Sequence, residues 1–115
     1  MNADPLQNLR VFTLARQLNI DHYPVLSKIK DYAYRDQMVR SCLSIASNIA
    51  EGYGRNKSSQ FHLFCTYALG SAYELRLQVD IGIEIGLIPA EHGKRIISQV
   101  NSLIGMLFNF MKTLR

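Results

Sequence analysis

Three histidines, two cysteines and nine carboxylates are the groups best equipped for chemistry here, and their spacing argues against most of it. His22, His62 and His92 fall on or near separate segments, and no Glu-x-x-His occurs. The di-metal centre of helical bundles draws that motif from two helices, so neither a metal nor any other cofactor is expected. His92, beside Glu91 at a helix start, is expected to be solvated. Cys42 and Cys65 sit on apolar stripes without a basic neighbour to lower a thiol pKa, so both are expected to be buried free thiols. No Gly-x-Ser-x-Gly elbow is present, and Gly52-Tyr53-Gly54 has neither a strand before it nor a Gly-Lys after it. These glycines are expected to end a helix, not to cradle a phosphate.

What remains is a polar stripe. Arg40, Ser44, Ser47, Asn48 and Glu51 share one face at helical spacing, with a counterpart in Ser71, Glu74 and Gln78 beside Gly70. Small polar residues let helices approach closely, and Glu51 and Glu74 are acceptors within reach of Arg40, Arg55 or backbone donors. The pattern is expected to be a hydrogen-bonded seam within or between subunits. Catalysis would instead require a buried cluster around Glu51, Arg55 and Glu74, and no enzymatic activity is expected.

Four helices must position these residues. Asp4 and Pro5 predict a first helix, with Asp4 capping and Gln7 three residues on; Val11, Leu14, Ala15 and Leu18 carry it to the turn-prone stretch from Asp21 to Pro24. The second begins near Asp31 and runs to Gly52 or Gly54. Met38, Cys42, Ile45 and Ile49 form its apolar stripe, widened by Val39, Leu43, Ala46 and Ala50, and Gly52, Gly54 and Asn56 stop it. Ser58 or Ser59 is expected to cap the third, which steps from Phe61 and Phe64 through Ala68, Ala72, Leu75, Val79 and Gly82 to Gly86. The fourth opens near Pro89, with Ile97, Val100, Ile104, Leu107, Met111 and Leu114 at alternating spacings of three and four. No segment reads as a strand. Short links predict an all-α, antiparallel up-down-up-down four-helix bundle over residues 1–115.

The chain has 115 residues, 48% of them hydrophobic and 19% charged, which is enough for one buried core. No apolar run approaches a membrane span, and Met1-Asn2-Ala3-Asp4-Pro5 has no basic stretch leading into an apolar one. No membrane partner and no secretory leader are expected. Leu69, Leu77, Ile81, Ile83 and Ile85 on the third helix, and Ile96, Leu103 and Phe110 on the fourth, exceed one buried face. Leaving each in water forgoes ~1.5–3 kcal/mol, which predicts homo-oligomerisation.

The net charge of +4 is polarised by the expected topology. Arg10, Arg55, Lys57, Lys112 and Arg115 map to one end against Asp4 and Glu51, while the other end mixes both signs. A ring of parallel subunits would collect the basic ends on one rim, where phosphates bind with counterion release. The bland alternative is solvated charge that complements helix dipoles.

Ser44-Ile45-Ala46-Ser47-Asn48-Ile49-Ala50-Glu51-Gly52-Tyr53-Gly54-Arg55 resembles the signature of the four-helix-bundle proteins encoded by intervening sequences of bacterial 23S ribosomal RNA genes. The likeness continues through Phe61, Phe64, the run Ala68 to Leu75, Gln78 and Gly86-Leu87-Ile88, and back to Asn8-Leu9-Arg10-Val11-Phe12 and Ala15. Ala46 stands where the family usually has proline, Leu77 replaces a commoner threonine, and the link between the first two helices looks short. The resemblance implies a cytoplasmic, bacterial, ring-forming protomer, typically pentameric. It is also similar to the accessory proteins of diversity-generating retroelements, which implies RNA or DNA, and a reverse transcriptase or other protein, as partners. Arg10, Arg55 and Lys57 would then contact phosphates, and Asn48, Glu51, Ser71 and Glu74 would pack subunits. A protein-interaction scaffold without a nucleic-acid role is the alternative.

Overall fold

A computed structural model of the chain describes residues 5–114. Four helices carry the fold: α1 (Arg10–Leu26), α2 (Tyr32–Gly54), α3 (Ser58–Glu84) and α4 (Ala90–Met111), preceded by a single 3-10 turn at Pro5–Asn8. No strand occurs among the described residues. α2 packs against both α1 and α3, and α4 against both α3 and α1, so each helix has two neighbours around one core. That core runs through Val11, Ala15 and Leu18, Met38, Ile45 and Ile49, Ala68, Leu75 and Val79, and Ile96, Val100 and Leu107. Every stripe named steps by three, four or seven residues, which keeps one face of each helix inward.

The helix ends differ from the expectation in physical detail. α1 begins at Arg10, not at Pro5, and the expected Asp4 cap lies outside the described residues. The 3-10 turn followed by an extended Leu9 lets Leu6 and Leu9 both pack on the core. At its other end α1 runs through Pro24 to Leu26. Proline costs about 3 kcal/mol inside a helix, but Ile20, whose carbonyl loses the bond, is solvent-exposed and Leu26 gains complete burial. α2 begins beside Asp31 as expected, and Asp31 caps it, its carboxylate accepting from the Tyr34 amide at 3.1 Å. α3 lacks the expected serine cap: Lys57, extended at φ −148°, is the boundary residue, and Ser58 and Ser59 lie inside the helix.

Of the expected terminators of α2, only Asn56 enters the left-handed region, at φ 55°. Gly52 and Gly54 belong to the helix. Gly86 ends α3 as expected, at φ 81°. Its amide reaches the Ile83 carbonyl and the Leu87 amide reaches that of Gly82, the two bonds of a Schellman closure.

The apolar surplus divides in two. On α4, Ile96 and Leu103 are buried and Phe110 packs at the core margin, so that stripe widens the core and is not left outside it. Leu69 and Ile83 of α3 are likewise half-buried against the core. Leu77, Ile81 and Ile85 remain exposed, and Leu43 of α2, expected to widen a buried stripe, is exposed too.

Candidate nucleic-acid interface

The turn from α2 into α3 is set by a close helix approach. Gly52 is buried against two phenylalanines: a Cβ there would lie 2.7 Å from the Phe64 Cβ and 3.3 Å from the Phe61 backbone. Only glycine fits. Phe61 then stacks edge-on against Tyr53 at 6.0 Å and against Phe110 at 5.3 Å, which brings the start of α3 beside the end of α4. Arg55 is held by Glu51 at 3.0 Å and lies over the Phe64 ring at 4.9 Å.

Onto this frame fall the expected cations. Arg10 is the first residue of α1, Arg55 the C-cap of α2, Lys57 the N-cap of α3 and Lys112 the C-cap of α4. All four are exposed; Arg115 lies outside the described residues. Arg10, Lys57 and Lys112 have no ion-pair partner among the described residues. The stacked rings tie Arg55, Lys57 and Lys112 to adjoining helix ends. Helix dipoles explain part of this set: cations at C-termini, such as Arg55 and Lys112, are stabilising. Arg10 and Lys57 stand at N-termini, where the dipole already presents positive charge, so the same rule makes them unfavourable by ~0.3–1 kcal/mol each.

The polar stripe forms a seam between α2 and α3. Ser71 donates its hydroxyl to Ser44 Oγ at 3.0 Å, and Asn48 Nδ2 donates to the Ser44 carbonyl and hydroxyl at 2.8 and 3.0 Å. Glu74 accepts from Ser41 at 3.3 Å, while the buried Oε1 of Gln78 finds no partner. Three expected members lie apart from it, the first being the exposed Ser47. Glu51 pairs with Arg55 in solvent, and Arg40 lines an open groove between α1 and α2. The Glu51, Arg55 and Glu74 side chains therefore form no buried cluster. Ser41 was missed by the sequence reading although it is buried three residues before Ser44, at a spacing that could have revealed it.

A second polar feature was missed altogether. His22 is buried on the inward stripe of α1 and His92 is half-buried, so the expectation of a solvated His92 fails. His92 Nε2 and His22 Nδ1 are 3.0 Å apart, His22 Nε2 is 2.6 Å from Gln99 Oε1, and Arg95 reaches His92 Nδ1 at 2.8 Å. A guanidinium only donates, which fixes every proton in the row. His92 Nδ1 must accept, so its Nε2–H donates to His22 Nδ1, and His22 Nε2–H donates to Gln99. Burial, with His22 and Arg95 adding to it, holds His92 below the ordinary imidazole pKa. The signal in the sequence was a histidine four residues from both Leu18 and Leu26 on one buried stripe.

No group of three or more His, Cys, Asp or Glu side chains among the described residues is placed to hold a metal. Burial pushes the Cys42 thiol up to about 12 and the Cys65 thiol up to about 11, so neither ionises near neutrality. No described helix is long and apolar enough to cross a membrane.

Comparison with known proteins agrees with this architecture. A crystal structure of a protein of unknown function from the S23 ribosomal protein family of Bacteroides thetaiotaomicron superposes with a TM-score of 0.82 at 20% identity, covering 89% of this chain and 98% of that one. At that identity the likeness speaks for the fold alone. No curated protein matches the chain. The profile of the 23S rRNA-intervening sequence proteins matches residues 7–109, nearly the whole length, and the chain belongs to that family.

Proposed function

We propose that this protein is a non-catalytic, ring-forming scaffold, typically pentameric, that binds the phosphates of structured RNA or duplex through the basic ends of its subunits. The observation that carries the reading is the placement of Arg10 and Lys57 at helix starts, where the dipole disfavours them and no ion-pair partner offsets it among the described residues. An external polyanion supplies the missing partner. An up-down-up-down course collects these two with Arg55 and Lys112 at one end. That course is supported by the pairing of Ser41 with Glu74 and of Ser44 with Ser71, whose numbers run in opposite directions. It is supported again by Phe110 at the end of α4 against Phe61 at the start of α3. A bacterial cytoplasm suits the two buried free thiols.

Titration of a labelled RNA hairpin and a DNA duplex at low and physiological salt tests the reading, with the Arg10→Glu, Lys57→Glu variant alongside. The expected result is salt-dependent binding whose log–log salt slope falls by about 1 for each phosphate contact removed, with mass and helicity unchanged. Absence of binding to either polymer at low salt overturns it. A protein-interaction scaffold is then the reading left, favoured by the exposed Leu77, Ile81 and Ile85 on α3.

A further inference from the structure

We infer that the exposed ridge of α3 in one copy of this chain seats in the groove between α1 and α2 of the next. The inference rests on the oligomeric part of the proposed function and is independent of nucleic-acid binding.

The groove holds about 540 Å³. Tyr23 forms one wall and Val39 and Leu43 another, with Tyr23 58% and Leu43 56% exposed. Two arginines line it. Arg35 is bridged to Asp36 at 3.0 Å and lies over the Tyr32 ring at 4.5 Å. Arg40, by contrast, has no hydrogen bond or ion pair among the described residues, so a bare guanidinium stands beside an exposed leucine. The groove therefore presents apolar surface together with an unpaired positive charge.

The ridge presents the complement. Leu77, Ile81 and Ile85 recur every four residues along α3 and are 58%, 39% and 57% exposed. Asp80 and Glu84 lie in the adjoining row, one helical turn apart, and neither has an ion-pair partner among the described residues. The one basic neighbour in that row, Arg76, is engaged elsewhere: it donates to Asn101 of α4 at 2.8 Å and covers Tyr73 at 4.7 Å. Aliphatic side chains flanked by uncompensated carboxylates suit a groove of aliphatic and aromatic walls with a free guanidinium.

The contact we infer is heterologous: each copy offers its groove to one neighbour and its ridge to the other. Contacts of that kind repeat head to tail and close into a ring when the rotation permits. A self-complementary two-fold contact would instead bring the same patch from both copies together.

That difference gives the test, which is mass measurement by light scattering and native mass spectrometry. A groove variant, Arg40→Glu with Leu43→Asp, and a ridge variant, Leu77→Asp with Ile81→Asp, each change exposed side chains only. Circular dichroism checks that helicity is kept, and Leu43→Ser and Leu77→Ser replace any variant that loses it. Wild type is expected as a multiple of 13.1 kDa and each variant alone at 13.1 kDa. An equimolar mixture is expected at twice that mass and no more, because one intact groove meets one intact ridge and the chain of contacts stops. Wild type found as a monomer overturns the oligomeric reading and this inference with it. Assembled wild type with either variant still assembled, or with two monomeric variants that do not pair, overturns the inference and leaves the oligomer standing.

Discussion

The α2–α3 turn and the α1–α4 seam both fix one helix against another, with opposite chemistry. At the turn, Gly52 removes a side chain so that Phe61 and Phe64 can press on the helix backbone, and the contact is apolar and tolerates no added atom. At the seam, His22, His92 and Gln99 join α1 to α4 through directed hydrogen bonds, ordered by Arg95. Shape complementarity at the first is indifferent to pH. The row of donors and acceptors at the second holds only while His92 is neutral, since a further proton on its Nδ1 would set a donor against the Arg95 guanidinium.

Filling the turn is the strongest way to break this contrast. Gly52→Ala forces a methyl to within 2.7 Å of the Phe64 Cβ and against the Phe61 backbone, neither of which is the free end of a flexible chain. The expected loss is about 3 kcal/mol, at the upper end of overpacking costs, read as a lowered denaturant midpoint with an unchanged slope. Gly93 makes the useful control. An alanine there meets Cδ1 and Cγ1 of Ile83, side-chain atoms able to move, and its cost is expected to be about 1 kcal/mol. Equal losses at the two glycines would remove the distinction drawn between backbone and side-chain contact.

Next in size is truncation of the relay. His22→Ala leaves Gln99 and His92 without their partner and opens a cavity on the α1 stripe, with an expected loss of about 2 kcal/mol. His92→Ala is expected to add little on top, because the bond it removes is already gone. A double-mutant cycle reads that coupling, and full additivity would mean that the two rings act separately.

The difference between the two regions also explains what the sequence disclosed. Gly52, Asn56, Phe61 and Phe64 are close in the chain, so spacing announced a helix stop followed by a new helix; of the two ends expected, Gly52 and Gly54, the helix stops at Gly54. Helical periodicity likewise identified the four helices, because each stripe is a local property of its own segment. The relay joins residues 70 and 77 positions apart, and no local pattern links His22 to His92 or Gln99. α4 shows the same limit: Ile96 and Leu103 read as surplus because one helix's pattern does not reveal how wide a face its neighbours will cover. The basic residues were legible as a set. Their opposition to the dipoles at Arg10 and Lys57 was not, because it depends on which residue begins each helix.

Acid sharpens the contrast through His92. Its folded pKa lies below the 6.5 of the unfolded chain, so on acidification the unfolded state takes up the proton first. Stability is constant above that value and falls as pH drops below it, until the folded imidazole also protonates. Denaturation at pH 7.5, 6.5 and 5.5 should show the decline in wild type and a flatter profile in His92→Gln. Gly52→Ala should keep the wild-type decline from a lower starting point. An identical pH profile in His92→Gln would place the acid sensitivity elsewhere.

The smallest expected effect has the opposite sign. Gly54 lies two residues beyond Gly52 in the same helix, yet a Cβ there would meet nothing within 4 Å. Gly54→Ala keeps a helical backbone conformation and reduces the freedom of the unfolded chain, so it should stabilise by ~0.4–1 kcal/mol. Equilibrium denaturation of the isolated protein measures this, and destabilisation would mean that the last turn of α2 is tighter than its open surroundings indicate. The same variant carries a second reading in the nucleic-acid titration. Gly54 adjoins Arg55 and lies three residues before Lys57 in the chain, so a polyanion held by those cations would pass close to it. A variant that is more stable yet binds more weakly would locate the approaching backbone at this glycine, whereas unchanged binding would confine the contact to the side chains of Arg55 and Lys57.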